Sequence, residues 1–234
     1  MRLKKGPTLV YLFFLIVLIT LGIWQLGRAE IKRTFLEKKA QVIALQDVMD
    51  MSNISYDNLD AIRYKKVKIK GHYDQVHQFL VDNRISAGKV GYFVLTPFIL
   101  EAEAKAVLVN RGWIPLNPDR SDLPDIQIKS QQFEIIGRIN SFPSVGIKLI
   151  GAEIPTNTWP SVVQVIDSQI LANKLGYFVF PYQVELDSHV PEGYKREWQA
   201  IKIMQPEQHI AYAIQWFALA FTLTMLFLWY SLKK

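Results

Sequence analysis

The sequence predicts a membrane α+β protein, with one transmembrane helix at each end flanking a mainly-β, barrel- or sandwich-like extracytoplasmic domain with a few helices. Three observations predict it. No charged residue occurs from Gly6 to Gly27, none occurs from Ile210 to Leu232, and the chain between them reads as short strands separated by turns. A hydrocarbon core about 30 Å thick takes roughly 20 helical residues, and both uncharged runs reach that length. Helices apolar on every face need burial in protein or lipid. The expected organisation is a tail at 1–8, a first span at 9–27, a domain at 28–208, a second span at 209–230 and a tail at 231–234.

Charge and composition narrow the function classes. Five of the 27 cations sit at the extreme ends, at Arg2, Lys4, Lys5, Lys233 and Lys234, leaving 22 against 21 anions in the remainder. A nearly neutral body argues against a nucleic-acid partner, which needs a basic patch there. The absence of cysteine excludes disulfides, thiolate catalysis, Cys-ligated zinc and iron–sulfur clusters. The first apolar run is longer than a signal core of roughly 7–15 residues, and Gly27-Arg28-Ala29 is a poor cleavage site, so an uncleaved anchor is expected. No Arg- and Ser-rich transit segment precedes it, which points to a bacterial inner (plasma) membrane. The basic tails place the termini in the cytoplasm and the main domain in the periplasm, although Arg28, Lys32, Arg33, Lys38 and Lys39 crowd the other side of the first span.

Along the chain, Ile31, Phe35, Leu36, Val42, Ile43 and Leu45 recur with helical spacing, so the first helix should continue from Gln25 to about Met49. Asp50 to Asp60 reads as a loop. Val67 and Ile69 alternate with Lys66, Lys68 and Lys70, the mark of a half-exposed strand over Arg63–Gly71. Further strands are expected at Gln78–Asp82, Gly91–Thr96, Lys105–Asn110, Gln132–Ile139, Tyr177–Leu186 and Glu197–Ile203. The prolines and aspartates of Pro115–Asp125 mark a loop. Asp167–Leu175 is the one internal helix expected, with Asp167 as N-cap and Gly176 ending it.

No nucleophile elbow, zinc-protease motif, Walker loop or dinucleotide fingerprint is present, and no carboxylate pair is assignable to acid–base work. His72 and His77 read as surface residues at a strand–turn boundary. His209 differs, because it stands at the edge of the second span with Tyr212, Ala213 and Trp216 on its helical face. Such a histidine can ligate a haem iron while the small residue admits the ring; the alternative is an interfacial histidine in an ordinary aromatic belt. At the end of the first span Trp24, Gln25 and Arg28 form a second cluster, either a belt with a headgroup arginine or a contact to a partner membrane protein or a haem propionate. In Val109-Asn-Arg-Gly-Trp-Ile-Pro115, Gly112 suits a bulge or tight turn and Pro115 stops pairing. Arg111, Gly112 and Trp113 are either structural or a recognition surface for a partner.

Together these pieces resemble the Surfeit locus protein 1 family, which assists assembly of haem-copper cytochrome c oxidase. The resemblance rests on Gly22-Ile-Trp-Gln-Leu-Gly-Arg28, Val67-Lys-Ile-Lys-Gly71, Asn83-Arg84 with Gly91-Tyr92, Val109-Asn-Arg-Gly-Trp-Ile-Pro115, Trp159-Pro160 and His209-Ile-Ala-Tyr-Ala-Ile-Gln-Trp-Phe217, in order over almost the whole chain. It implies a two-span membrane protein that is not an enzyme and supplies or stabilises haem a during maturation of oxidase subunit I, with haem a synthase as a further partner. In bacterial members a histidine beside the second span is implicated in haem binding, and His209 matches it, with Tyr212, Trp216, Trp24 and Arg28 as the expected surroundings. The chain departs from the family pattern just before that histidine, where Glu207-Gln208 replaces the common pair of asparagines. Two hypotheses of different class follow. Either the protein holds haem a transiently at His209, or it is a scaffold for oxidase subunits or haem a synthase, with Gln25, Arg111, Gly112 and Trp113 as contact residues and no haem.

Overall fold

The structure is a computed structural model that describes residues 5–45, 47–51, 58–101, 105–120, 122–198 and 204–233. The chain forms two compact units, one from 1–41 with 199–234 and one from Val42 to Trp198. In the first, α1 (Lys5–Ala44) and α4 (Pro206–Leu232) are both long and apolar enough to cross a membrane. They pair antiparallel. The Tyr11 and Phe227 rings stack at 4.1 Å, and the Tyr11 and Thr224 hydroxyls lie 3.1 Å apart. Gly22 lets the ring of Phe217 approach to where a Cβ would stand 2.5 Å away. Small residues at helix contacts allow this closeness, which matters where lipid offers no hydrophobic drive for pairing. The expected continuation of the first helix beyond Gln25 is present and ends at Ala44.

The second unit is a β-barrel-like domain. Its elements are β1 (Val48–Asp50), α2 (Leu59–Ile62), β2 (Lys66–Tyr73), β3 (Phe79–Ser86), β4 (Lys89–Leu100), β5 (Lys105–Pro115), β6 (Glu134–Asn140), β7 (Ser161–Val163), α3 (Ser168–Leu175) and β8 (Phe178–Leu186). The strands run β1-β2-β6-β8-β5-β4-β3-β7, and β2 also pairs with β4 at Tyr73–Phe98, which closes a ring. Closure leaves β2, β6, β8, β5 and β4 without an open edge among themselves. Val67, Ile69, Phe98, Val107, Val109, Ile135, Phe180 and Val184 fill the interior. On the opposite face of β5, Leu108 packs with Phe79, Leu95 and Leu171 of α3. Both faces of β5 are therefore buried, and each such aliphatic side chain contributes about 2 kcal/mol over an exposed one.

The alternation expected in β2 is observed, with Val67 and Ile69 fully buried. Asp167 caps α3 by accepting from the Gln169 and Ile170 amides at 3.0 and 3.2 Å, and Gly176 ends it in the left-handed conformation. Three short elements depart from the reading. Asp50 lies in β1 rather than in a loop, α2 starts behind an Asn58 cap, and β7 was unforeseen. Residues 52–57 of the expected loop lie outside the described residues, as do Arg2, Lys4 and Lys234. Glu197 and Trp198 of the expected last strand are not in a strand, and its residues 199–203 lie outside the described residues. Their local segment instead serves β5, where Trp113 N–H donates to the Lys195 carbonyl at 2.8 Å.

A bulge in β5 organises the domain's polar interior. Val94 pairs with Gly112 and Leu95 with Asn110, so Arg111 is the extra residue. Gly112 sits at φ +117°, and its amide donates to Asn110 Oδ1 at 3.1 Å. The bulge turns Arg111 inward, leaving it 1% exposed. Its Nη1 donates to Gln78 Oε1 and to the Ile126 carbonyl, each at 2.9 Å, and its Nε donates to the Glu192 carbonyl at 2.7 Å. The Thr96 hydroxyl donates to the same Gln78 oxygen at 2.9 Å. Glu192 accepts from the Lys129 and Ser130 amides at 3.1 and 2.9 Å and lies 3.8 Å from Arg111 Nη2.

An alanine Cβ at residue 112 would sit 2.8 Å from the Lys195 carbonyl oxygen on a backbone that disfavours side chains. Gly112→Ala is expected to destabilise the domain by about 1–3 kcal/mol, read as a lower urea midpoint of tryptophan fluorescence in the detergent-solubilised chain. Burial raises the pKa of the Asp74 and Glu192 carboxyls, but hydrogen bonds overcome it. His77 and Tyr177 hold Asp74 below its ordinary value, and the Lys129 and Ser130 groups with Arg111 do the same for Glu192. Groups depressed on folding stabilise the domain above the unfolded carboxylate value of about 4, and that stability is lost as pH falls through the folded values. Acid titration of the urea midpoint should show this loss, and Glu192→Gln should remove part of it.

Candidate functional site

Helix α4 starts with Pro206 in its first turn, where a missing N–H costs nothing. The Gln205 amide donates to Gln208 Oε1 at 3.0 Å, so Gln208 fastens the helix start. Gln208 thus closes the helix terminus one residue before His209, and its carboxamide oxygen is occupied there.

The imidazole is oriented from the other helix. His209 Nδ1–H donates to Gln25 Oε1 of α1 at 2.8 Å. A carboxamide oxygen only accepts, so this bond requires the proton on Nδ1 and leaves the Nε2 lone pair of a neutral ring uncommitted. His209 is 8% exposed, and its Nε2 is buried with no hydrogen-bond partner. A buried acceptor left open costs about 1–3 kcal/mol, and a retained orphan of that kind calls for an explanation.

The predicted site residues are only partly brought together. His209 and Ala213 turn inward toward α1, while Tyr212 is 46% exposed and Trp216 is half-buried. Trp24 is 51% exposed, and the Arg28 guanidinium lies 5.4 Å from its ring centroid, a cation–π pair on the open side of α1. Gln25, expected as a partner contact, is spent on His209. Arg111 and Trp113, expected in the same role, offer almost no surface, at 1% and 8% exposure. Trp113 Nε1–H donates to the Arg84 carbonyl at 2.9 Å, and the segment Tyr194–Lys195 pairs along Arg111 and Trp113. These donors are bonded within the domain. The pairing that the sequence does not announce is Gln25 with His209. Its only signal was a polar residue in an otherwise apolar run, since 184 residues separate the partners.

Among the described residues no cluster of three or more His, Asp or Glu is placed to hold a metal ion. A second polar group lies in the β domain, where His77 Nδ1–H and Tyr177 O–H both donate to Asp74 Oδ2, at 2.7 and 2.8 Å. It ties the β2–β3 turn to the start of β8. His72, at the end of β2, is exposed.

Gln25→Leu should strand the His209 Nδ1–H. Nitrogen-detected spectra of histidine-labelled protein are expected to show the Nδ1–H tautomer in the parent and its loss in the variant. The helix pair should weaken by about 1–3 kcal/mol.

Comparison with known proteins accords with this architecture. The SURF1 family model matches residues 12–221. A SURF1-like protein of Rickettsia felis is 29% identical, covering 95% of this chain and 95% of the relative. One from Rickettsia bellii is 30% identical over 94% of this chain and 88% of the relative. The cytochrome oxidase assembly protein SHY1 of Saccharomyces cerevisiae is 27% identical over 50% of this chain and 31% of its own length. The matched span runs from within α1 through the whole β domain into α4 and includes the Gln25–His209 pair, so the chain belongs to the SURF1 family.

Proposed function

We propose that this chain is a membrane-anchored, non-enzymatic assembly factor for haem-copper cytochrome c oxidase that holds haem a transiently at His209 and yields it to nascent subunit I. The observation that carries the reading is the buried imidazole with Nδ1 fixed by Gln25 and Nε2 unclaimed. A haem iron requires such a nitrogen, and a hydrogen bond to the other ring nitrogen fixes the tautomer and raises ligand basicity. Haem a is cargo here, and a single histidine holds it less tightly than two would, which suits transfer. Nε2 is inaccessible, so loading requires the side chains over it to part. Arg28, exposed beside Trp24, is suited to pair with a propionate. The role in oxidase assembly is supported by family membership and by the yeast relative's name. α1 and α4 are taken as spans of a bacterial inner membrane, with the β domain in the periplasm and haem a synthase as donor.

The burial of Nε2 also favours a second reading. His209 with Gln25 would then be an interhelical clasp in a scaffold that holds oxidase subunits or haem a synthase without haem.

The test is the absorbance spectrum of detergent-purified protein co-expressed with haem a synthase. The expected result is a Soret band with the reduced α band of haem a, absent in His209→Ala while helix content by circular dichroism is unchanged. A folded protein that stays colourless, yet still retains oxidase subunits, would overturn the haem reading in favour of the scaffold.

A further inference from the structure

The β domain carries an exposed aliphatic turn that neither its core nor its polar network uses. From Gly146 to Ile154 the chain leaves the barrel and returns. Ile150 is fully exposed at its apex, and Ile147, Leu149 and Ile154 are largely exposed around it. Side chains of this kind at a loop tip are stable in water only at a cost, and a contiguous group of them marks an interaction surface.

The turn is built to project. Arg84, itself buried, donates from Nη1 to the Ser144 carbonyl at 3.2 Å and from Nη2 to the Gln164 carbonyl at 2.9 Å, clamping both ends of its base. The Ala152 carbonyl accepts from the Gln164 and Val165 amides at 3.1 and 2.9 Å, which fastens the returning arm beside β7. At the apex the Ala152 amide donates to Leu149 and the Ile154 amide to Gly151, at 3.2 and 3.0 Å, with Gly151 in the left-handed conformation at φ +81°. Lys148 and Glu153 pair across the turn at 3.4 Å, so its two charges cancel.

We propose that the turn Ile147–Ile154 is a lipid-inserting tip that seats the β domain on a bilayer surface. Four features select lipid over protein. The apex is wholly aliphatic and lacks the Trp, Tyr and Arg anchors that dominate protein interfaces. Four side chains fall well short of the ~1,200 Å² that a specific protein interface buries. Several of the turn's backbone polar groups are bonded internally, which a hydrocarbon boundary demands and a protein groove does not. Lys148 and Glu153, paired with each other, bring no net charge to an apolar boundary. A bilayer is also the one surface always at hand, because the domain is tied at both ends to helices long and apolar enough to span one. The inference is independent of haem binding at His209.

The lack of cysteine makes the test direct. Full-length Ile150→Cys, carrying an environment-sensitive nitrobenzoxadiazole label, is reconstituted in vesicles of phosphatidylcholine and phosphatidylglycerol. Ser188→Cys, in an exposed turn elsewhere on the domain, serves as reference. The expected result is a blue-shifted emission for residue 150, several-fold weaker quenching by aqueous iodide than at residue 188, and strong quenching by lipids with a nitroxide high on the acyl chain. Labels at residues 147 and 154 should show the same order with smaller effects. Iodide quenching equal to that at residue 188 would overturn the proposal. Protection from both iodide and nitroxide lipid would also overturn it, and would assign the tip to a protein contact instead.

Discussion

The β domain depends on a guanidinium that has almost no water. With Arg111 1% exposed, donors that solvent would satisfy must find protein acceptors, and the acceptors come from distant parts of the chain. Gln78 lies just before β3, the Ile126 carbonyl in the loop after β5, and the Glu192 carbonyl in the segment after β8. A single side chain thereby ties three connections to the barrel wall. Losing one of these neutral acceptors would strand a buried donor of the guanidinium at an expected cost of about 1–3 kcal/mol. The bulge at Gly112 is the backbone condition for this arrangement, because only an extra residue in the ladder can turn Arg111 inward while Trp113 keeps its pairing with Lys195.

The same logic operates between the two long helices at smaller scale. An imidazole among apolar residues needs a partner for its proton, and Gln25 supplies an oxygen at 2.8 Å. The close approach of Phe217 to Gly22 and the Tyr11–Phe227 stack hold the helices near enough for that bond to form. One polar bond at one end of the contact and one hydroxyl pair at the other set the register of α1 against α4.

These two polar devices differ in what they leave over. Arg111 has its Nε and Nη1 protons bonded within the domain and its Nη2 facing the Glu192 carboxylate, so it stabilises. His209 is half satisfied. Its Nδ1 is committed and its Nε2 is not, which is the state of a ligand awaiting a Lewis acid or of a clasp that tolerates one open acceptor. The pairing with Gln25 has the further effect of selecting the tautomer that places the lone pair on Nε2, a choice the isolated side chain does not make.

The sequence by itself determined the elements whose signal is local. Two uncharged apolar runs specify α1 and α4, since backbone polarity in an apolar setting is satisfied within a helix. Alternation specifies β2, and Asp167 with Gly176 delimits α3, because caps act within one turn. Gly112 as a bulge and His209 as the singular histidine of the second run were legible for the same reason. What only the tertiary structure decided is which distant residues meet. That Gln25 faces His209, that Arg111 is an interior strut, and that Arg84 holds out an aliphatic turn all rest on contacts across 15 to 184 residues. Such contacts leave no periodicity in the chain. β1 and β7, three residues each, are strands only because a neighbour offers hydrogen bonds, so no local pattern announces them.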